Sequence, residues 1–216
     1  MLKEYKTLLS YGKDEIVIEK SKFIGHATPV ENEKDAIAFI EKIKTEHWNA
    51  THNVPAYIVG ENNEIQRYSD DREPSGTAGV PVLEVIKREN LKNVAIVVTR
   101  YFGGIKLGTG GLVRAYTRGA KIALQAAKII TKKLHKLIVA TVDYTISGKV
   151  QNEILQNGYL IKETKYDDAV HFYVYVEVVF LDRFKNQITE WTSGRCSLNF
   201  VGEEYLIEID GKISIT

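Results

Sequence analysis

The chain has 216 residues, 44% of them hydrophobic and 26% charged, with four prolines and a formal net charge of +1 at pH 7. This composition excludes a disordered, collagenous or low-complexity protein, and the length predicts one large domain or two small ones. A single cysteine, no signal-like amino terminus and no apolar run of about 18 residues predict a soluble cytoplasmic protein with neither disulfides nor a membrane partner.

Short strands and helices alternate through the first part of the chain. The predicted strands are 6–10, 15–20, 22–30, 56–60, 65–68 and 94–99. Turn signals at Gly12 and Gly25 predict that the first three strands form a meander. The predicted helices are 33–47, with Asn32 as its N-cap, 80–89 and 111–130.

The second part of the chain has the pattern βαββαβ. Its predicted elements are strand 137–145, helix 147–157, strands 159–166 and 170–180, helix 182–192 and strand 196–209. This order is typical of the ferredoxin-like fold, in which four antiparallel strands carry two helices on one face. A lysine-rich stretch at 131–137 separates the two patterns. We therefore predict an α+β protein with domains at 1–134 and 135–216.

Basic residues are concentrated before this boundary. Residues 1–134 contain 21 Lys and Arg against 16 Asp and Glu, whereas residues 135–216 contain 8 against 12. Ten basic residues and no acidic one occur between Asn90 and Lys136. Such a segment creates a positive field that attracts phosphate-bearing partners, unless acidic side chains from elsewhere in the fold neutralise it.

A glycine-rich stretch, 100–111, lies between the buried strand 94–99 and the long helix. Backbone N–H groups next to a helix N-terminus bind anions, and nearby cations strengthen such a site. Neither a Walker A loop nor a dinucleotide fingerprint is present, because Thr109 follows Gly108 and Val113 replaces the last glycine. The alternative is that the glycines only permit a tight turn and close helix packing. The predicted binding residues of this stretch are Arg100, Gly103, Gly104, Lys106, Gly108, Gly110 and Gly111.

The long helix has one basic face. Arg114, Arg118, Lys121, Gln125 and Lys128 recur at spacings of four, three, four and three, which places them on one side. The opposite face is predicted to be Leu112, Val113, Tyr116, Ala120, Ala123, Leu124 and Ala127. A merely solvated helix usually mixes in acidic residues for pairing, and none occurs here, which favours binding to a phosphate backbone.

A second polar loop, 69–79, contains three carboxylates, Asp70, Asp71 and Glu73. They are able either to hold a divalent ion or to form salt bridges that fix the basic loop, and we favour the second reading. Ser75 is not in a hydrolase elbow, because Glu73 and Thr77 occupy the positions of its glycines. We predict that Asp70, Asp71, Glu73, Ser75 and Thr77 form a supporting loop, with no catalytic residue, no metal and no cofactor.

Two histidines and two aromatic residues complete the candidates. His47 and His52 are five residues apart, a spacing that suits no simple metal site, so we predict hydrogen-bonded histidines. Tyr101 and Phe102 are placed either to stack on bases at the edge of the basic surface or to belong to the core, and the core is favoured.

Several ordered segments together resemble the IMPACT/YigZ family. They cover about residues 20–125 and comprise the sequences at 21–24, 50–53, 56–57, 69–71, 73–79, 100–104, 106–108 and 110–116. The βαββαβ part is similar to the smaller carboxy-terminal domain of the bacterial members. Arg72 departs from the pattern, since the family is expected to have a small glycine there.

The resemblance implies a first domain with the fold of the second domain of ribosomal protein S-five and a second domain like the last domain of the translocation elongation factor. It also implies a cytosolic role associated with nucleic acid or the ribosome. Eukaryotic relatives are expected to act in translational control through a protein partner and an additional amino-terminal domain that this sequence does not show.

The first hypothesis is an RNA- or ribosome-binding protein that regulates translation, in which cations contact phosphates and the glycine loop supplies backbone donors. The cations are Arg100, Lys106, Arg114, Arg118 and Lys121. The second hypothesis is an enzyme acting on a small phosphorylated ligand or nucleotide, with magnesium on Asp70, Asp71 or Glu73. The third is a protein-interaction adaptor whose basic surface binds an acidic partner.

Overall fold

The structure is a computed structural model that describes residues 1–209 and 212–214. The chain folds into two compact units. The first unit contains Met1 and Tyr5–Thr131, and the second contains Leu2–Glu4 and Lys132–Thr216. The mixed α+β architecture predicted from the sequence is confirmed. None of the helices in the described part of the chain combines the length and the apolar character needed to cross a membrane.

The first unit is built on one antiparallel sheet. The elements up to its last helix are β1 (Glu4–Leu8), β2 (Gly12–Ile18), β3 (Ser21–Pro29), α1 (Glu33–Glu46), β4 (His52–Val59), β5 (Ile65–Tyr68), α2 (Gly79–Arg88), β6 (Val94–Tyr101) and α3 (Gly108–Ala127). Five strands pair in the order β2-β3-β6-β4-β5. Strand β1 is not among them, so the predicted meander of the first three strands is wrong.

Helices cover both faces of this sheet. On one face, α2 and α3 pack on alternate strand residues such as Phe23, Val54 and Ile96. On the other face, α1 packs through Ala36, Ile40 and Ile43 against a smaller cluster. The central strand β6 is therefore buried on both sides, which explains its continuous apolar sequence.

Gly12 and Gly25 lie inside strands, although the sequence suggested turns at both positions. A Cβ on Gly25 would lie 2.1 Å from the Gly119 carbonyl oxygen of α3, and a Cβ on Gly12 would lie 2.1 Å from the Ala127 nitrogen. The glycines are needed because the α3 backbone lies directly on the backbone of β2 and β3. The turn prediction failed because close helix packing and turns favour the same residue type.

Helix boundaries agree with the sequence at α1 and differ at α3. The Asn32 side chain accepts a hydrogen bond of 3.0 Å from the Asp35 N–H, which confirms the predicted cap of α1. Helix α3 spans Gly108–Ala127, whereas 111–130 was predicted. Lys128 has a positive φ of 58° and ends the helix, so the next residue already begins a strand.

The second unit has the predicted βαββαβ order, followed by one further short strand. Its elements are β7 (Ile129–Val142), α4 (Tyr144–Gln156), β8 (Leu160–Tyr166), β9 (Val170–Glu177), a 3₁₀ turn (Val178–Phe180), α5 (Leu181–Thr192), β10 (Ser197–Ile209) and β11 (Lys212–Ser214). The strands lie in the order β11-β10-β7-β9-β8, and helices α4 and α5 cover one face with a core around Val150, Phe172 and Phe184. Residues 131–137, which suggested a connection, are part of β7.

We expect Gly25→Ala to lower the free energy of unfolding by at least about 2 kcal/mol, because the new methyl group has no space between β3 and α3. Gly148→Ala is the matched control. Its Cβ meets nothing within 4 Å inside α4, and we expect a gain of about 0.5–1 kcal/mol. Urea unfolding of both variants measures the difference, and equal stabilities would show that α3 does not approach the sheet this closely.

Candidate functional site

A buried ion pair joins the polar loop to the central strand. The Arg100 guanidinium donates to the Glu73 carboxylate over 2.6 Å, and the two side chains are only 6% and 4% exposed. Arg100 lies on β6 between Phe23 of β3 and His52 of β4. The supporting salt bridge expected from the sequence is present between these two residues.

Other polar side chains complete the surroundings of this pair. The Tyr116 hydroxyl of α3 donates to the same Glu73 oxygen over 2.7 Å, and the Ser21 hydroxyl accepts from Arg100 over 3.3 Å. The His52 Nε2 lies 3.5 Å from that carboxylate. Burial, and then the Glu73 charge, raise the pKa of Tyr116, so its hydroxyl stays protonated and continues to donate.

The prediction that Arg100 contacts a phosphate is wrong. Its guanidinium is buried and is engaged by Glu73 and Ser21, so it is not available at the surface. The sequence could not reveal this because Glu73 precedes Arg100 by 27 positions. Arg100 therefore joins the loop of Glu73 to β6 and to Ser21 of β3.

The other two carboxylates of the loop accept backbone hydrogen bonds. Asp70 accepts from the N–H groups of Gly76, Ala78 and Gly79 at 2.8–3.1 Å, which caps the start of α2. Asp71 accepts from the Asn53 N–H over 2.6 Å. Asp70, Asp71 and Glu73 are not among the described side chains whose ligand atoms lie close enough together to hold one ion, so the magnesium role considered for them has no support in this geometry.

The other two residues predicted to support this loop, Thr77 and Ser75, differ in their surroundings. The Thr77 hydroxyl donates to the Pro74 carbonyl over 2.7 Å, whereas Ser75 is exposed. Arg72 has a φ of 69°, in the left-handed region that favours glycine. This backbone conformation explains why a glycine is expected there in the family that the sequence resembles.

The glycine loop provides fewer free donors than predicted. The Gly103 N–H donates to the Ser21 hydroxyl over 3.2 Å, and a Cβ on Gly103 would lie 1.9 Å from the Lys20 carbonyl oxygen. Gly103 is therefore a packing residue, contrary to its predicted role. Gly104 is exposed and has a positive φ.

The first turn of α3 remains open to solvent. Gly108 and Gly110 are exposed, Gly111 is half-buried, and the N-cap residue Leu107 offers no side-chain acceptor. The N–H groups of this turn therefore carry the positive end of the helix dipole without a side-chain partner.

The basic face of α3 is exposed. Arg114, Arg118 and Lys121 point to solvent, as does Lys106 before the helix, and none of these four forms an ion pair within residues 1–209 and 212–214. Lys106, Arg114 and Arg118 line one open groove of about 580 Å³, together with Gly111 and a single carboxylate, Glu19. Three cations against one anion give this groove a positive potential.

Lys121 borders a different groove. It lies beside Glu89 and Gln125 in a depression next to the end of α3. Val113, predicted on the apolar face, is 37% exposed and borders a further groove with Lys121. The basic face therefore continues from the glycine loop along α3 but passes from one groove to the next.

Both histidines singled out in the sequence are hydrogen-bonded, as predicted. The His52 Nδ1 lies 2.8 Å from the Asp71 carbonyl oxygen, and the His47 Nδ1 lies 2.9 Å from the Tyr101 hydroxyl. The His47 ring also lies near the ring of the fully buried His26, with centroids 5.1 Å apart and an interplanar angle of 54°. Burial lowers the pKa of His26 to about 4. The sequence analysis did not single out His26, because a lone histidine inside a strand carries no sequence signal.

We expect Glu73→Gln to lower the free energy of unfolding by about 3–5 kcal/mol, because it leaves the buried Arg100 charge uncompensated. Tyr116→Phe, which removes one hydrogen bond to the same oxygen, should cost only about 1 kcal/mol. Chemical unfolding of the two variants tests this order. If Glu73→Gln were as stable as the parent, the ion pair would not hold the loop.

Comparison with known proteins gives two sequence-profile matches. Residues 19–124 match the family described as Impact N-terminal domain, and residues 141–195 match Domain of unknown function (DUF1949). The first match contains the ion pair, the glycine loop and most of α3. The second lies within the βαββαβ unit.

Relatives and a solved structure extend over most of the chain. The chain is 48% identical over 198 residues to IMPACT family member YvyE of Bacillus subtilis (strain 168), covering 92% of this chain and 91% of that protein. It is 37% identical over 187 residues to an IMPACT family member of Haemophilus influenzae, covering 82% and 87%. A crystal structure of a hypothetical protein superposes with a TM-score of 0.59 at 27% identity, covering 94% of this chain and 99% of that one. On this sequence identity and coverage, the chain belongs to the IMPACT family.

Proposed function

We propose that this protein binds RNA, free or within the ribosome, through the exposed face of α3 and acts in the regulation of translation. The observation that carries the proposal is a row of exposed cations that have no ion-pair partner in the described part of the chain. The row consists of Lys106, Arg114, Arg118 and Lys121. Unpaired cations along one helix are the electrostatic footprint of a phosphate-binding surface.

The start of α3 supports the same interpretation. Its first-turn N–H groups have no side-chain cap and lie next to Lys106, so a phosphate there would meet both backbone donors and a cation. No acidic residue occurs within α3 to oppose this charge. The translational part of the proposal follows from membership of the IMPACT family, whose eukaryotic members are expected to act in translational control.

The two other hypotheses receive less support. The enzyme hypothesis placed magnesium on Asp70, Asp71 or Glu73, and these carboxylates are each engaged in structural hydrogen bonds. An adaptor that binds an acidic protein would use the same cations. It differs from RNA binding in that nuclease treatment would leave the complex intact.

We expect the double variant Arg114→Glu/Arg118→Glu to bind RNA at least about 10-fold more weakly than the parent at low salt, because two phosphate contacts are replaced by repulsion. Fluorescence anisotropy with a labelled RNA measures the affinity. The fold should be unaffected, since both side chains are exposed.

The matched control is Lys34→Glu/Lys42→Glu on α1. These lysines are exposed and lie on the face of the sheet opposite to α3. Their replacement changes the net charge by the same amount as the α3 variant does. The control should keep at least half of the parental affinity. Equal loss in both variants would indicate non-specific attraction, and no loss in the α3 variant would overturn the proposal.

A further inference from the structure

Two large aromatic side chains near the end of β6 are exposed and lie outside the hydrophobic clusters. Trp48, directly after α1, is 82% exposed, and Phe102, directly after β6, is 47% exposed. Neither ring belongs to one of the hydrophobic clusters of the described residues. The sequence favoured a core position for Phe102, and this prediction is wrong for its ring.

Hydrogen bonds hold the two segments that carry these rings side by side. The Tyr101 hydroxyl lies 2.9 Å from His47 Nδ1 and donates to the Asn49 side chain over 3.3 Å, so both neighbours of Trp48 contact Tyr101. The Phe102 N–H donates to the Thr51 hydroxyl over 3.0 Å. The indole is thus presented from an anchored turn next to the Phe102 segment.

The Phe102 ring also contacts the Arg100 guanidinium. The Arg100 Cζ lies 5.4 Å from the centroid of this ring, and Arg100 is itself fixed by Glu73. A guanidinium packed on a ring orients it, because the cation is attracted to the face of the aromatic system. Phe102 is nevertheless 47% exposed.

The basic groove begins only a few residues beyond Phe102. Gly103 and Gly104 lead to Ile105, which is exposed and lines the groove with Lys106 and Arg114. The chain thus passes directly from exposed aromatic rings to unpaired cations. This combination is how proteins bind single-stranded nucleic acids, with cations on the phosphates and rings on the base faces.

We propose that Trp48 and Phe102 form a stacking platform for unpaired bases, so that the preferred ligand of the α3 surface is single-stranded RNA. This inference rests on the proposed function and adds the class of RNA to it. A duplex keeps its base faces stacked on one another, so it is able to use the cations but not the platform.

Single-site variants test the platform. Trp48→Ala and Phe102→Ala should each weaken binding of a single-stranded RNA about 5-fold or more and leave binding of a duplex of the same length within about 2-fold of the parent. Phe200→Ala is the matched control, because Phe200 is 61% exposed and also lies against a cation, Lys136, but belongs to the second unit. Phe200→Ala should change the affinity for neither the single-stranded RNA nor the duplex.

Tryptophan fluorescence gives a second measurement without altering the platform. The chain has two tryptophans, and Trp191 is part-buried in the second unit, so Trp191→Phe leaves Trp48 as the reporter. Stacking predicts that a single-stranded RNA quenches this signal and that a duplex does so much less. Unchanged fluorescence at saturating RNA would overturn the platform.

The outcomes separate the two proposals. If the α3 charge variant loses binding while Trp48→Ala and Phe102→Ala bind single strands like the parent, the platform is wrong and the RNA surface stands. If no RNA binds at low salt, both are wrong. If sedimentation shows a dimer that Trp48→Ala dissociates, the exposed indole serves a second copy of the chain, and the platform is also wrong.

Discussion

The buried ion pair between Glu73 and Arg100 determines the arrangement of the surrounding loops. Two charges so completely removed from water are tolerated only with good mutual geometry and further hydrogen bonds, which Tyr116 and Ser21 supply. These partners come from the loop before α2, from β3, from β6 and from α3. One interaction therefore fixes where the polar loop, the central strand and the long helix meet.

This arrangement has a consequence for the surface charge. The carboxylates of the polar loop are engaged in structural contacts: Glu73 with Arg100, and Asp70 and Asp71 with backbone N–H groups. In the described part of the chain, none of the three forms an ion pair with the cations of α3. Gly25 contributes in another way, because it lets α3 lie directly on the sheet and turn its basic row outward. The free positive face thus follows from how the core is built.

Much of the fold, and the basic row of α3, could be predicted from local patterns, whereas the burial of individual side chains around the site could not. The Asn32 cap, strand β5 and the βαββαβ order follow from hydrogen-bonding residue types and periodicity that act over a few positions. The burial of Arg100 depends on a carboxylate 27 positions away, and the role of Gly25 depends on a helix nearly a hundred residues later. The exposure of Trp48 also depends on distant parts of the chain, because the sequence alone does not show which aromatic side chains lie outside the core.

The salt dependence of RNA affinity for the unmodified protein tests the central claim most directly. If Lys106, Arg114, Arg118 and Lys121 each neutralise one phosphate of a single strand, a plot of log K against log salt concentration has a slope of about −3. A slope near zero, or no binding at low salt, would contradict an account in which the unpaired cations of α3 hold a phosphate backbone.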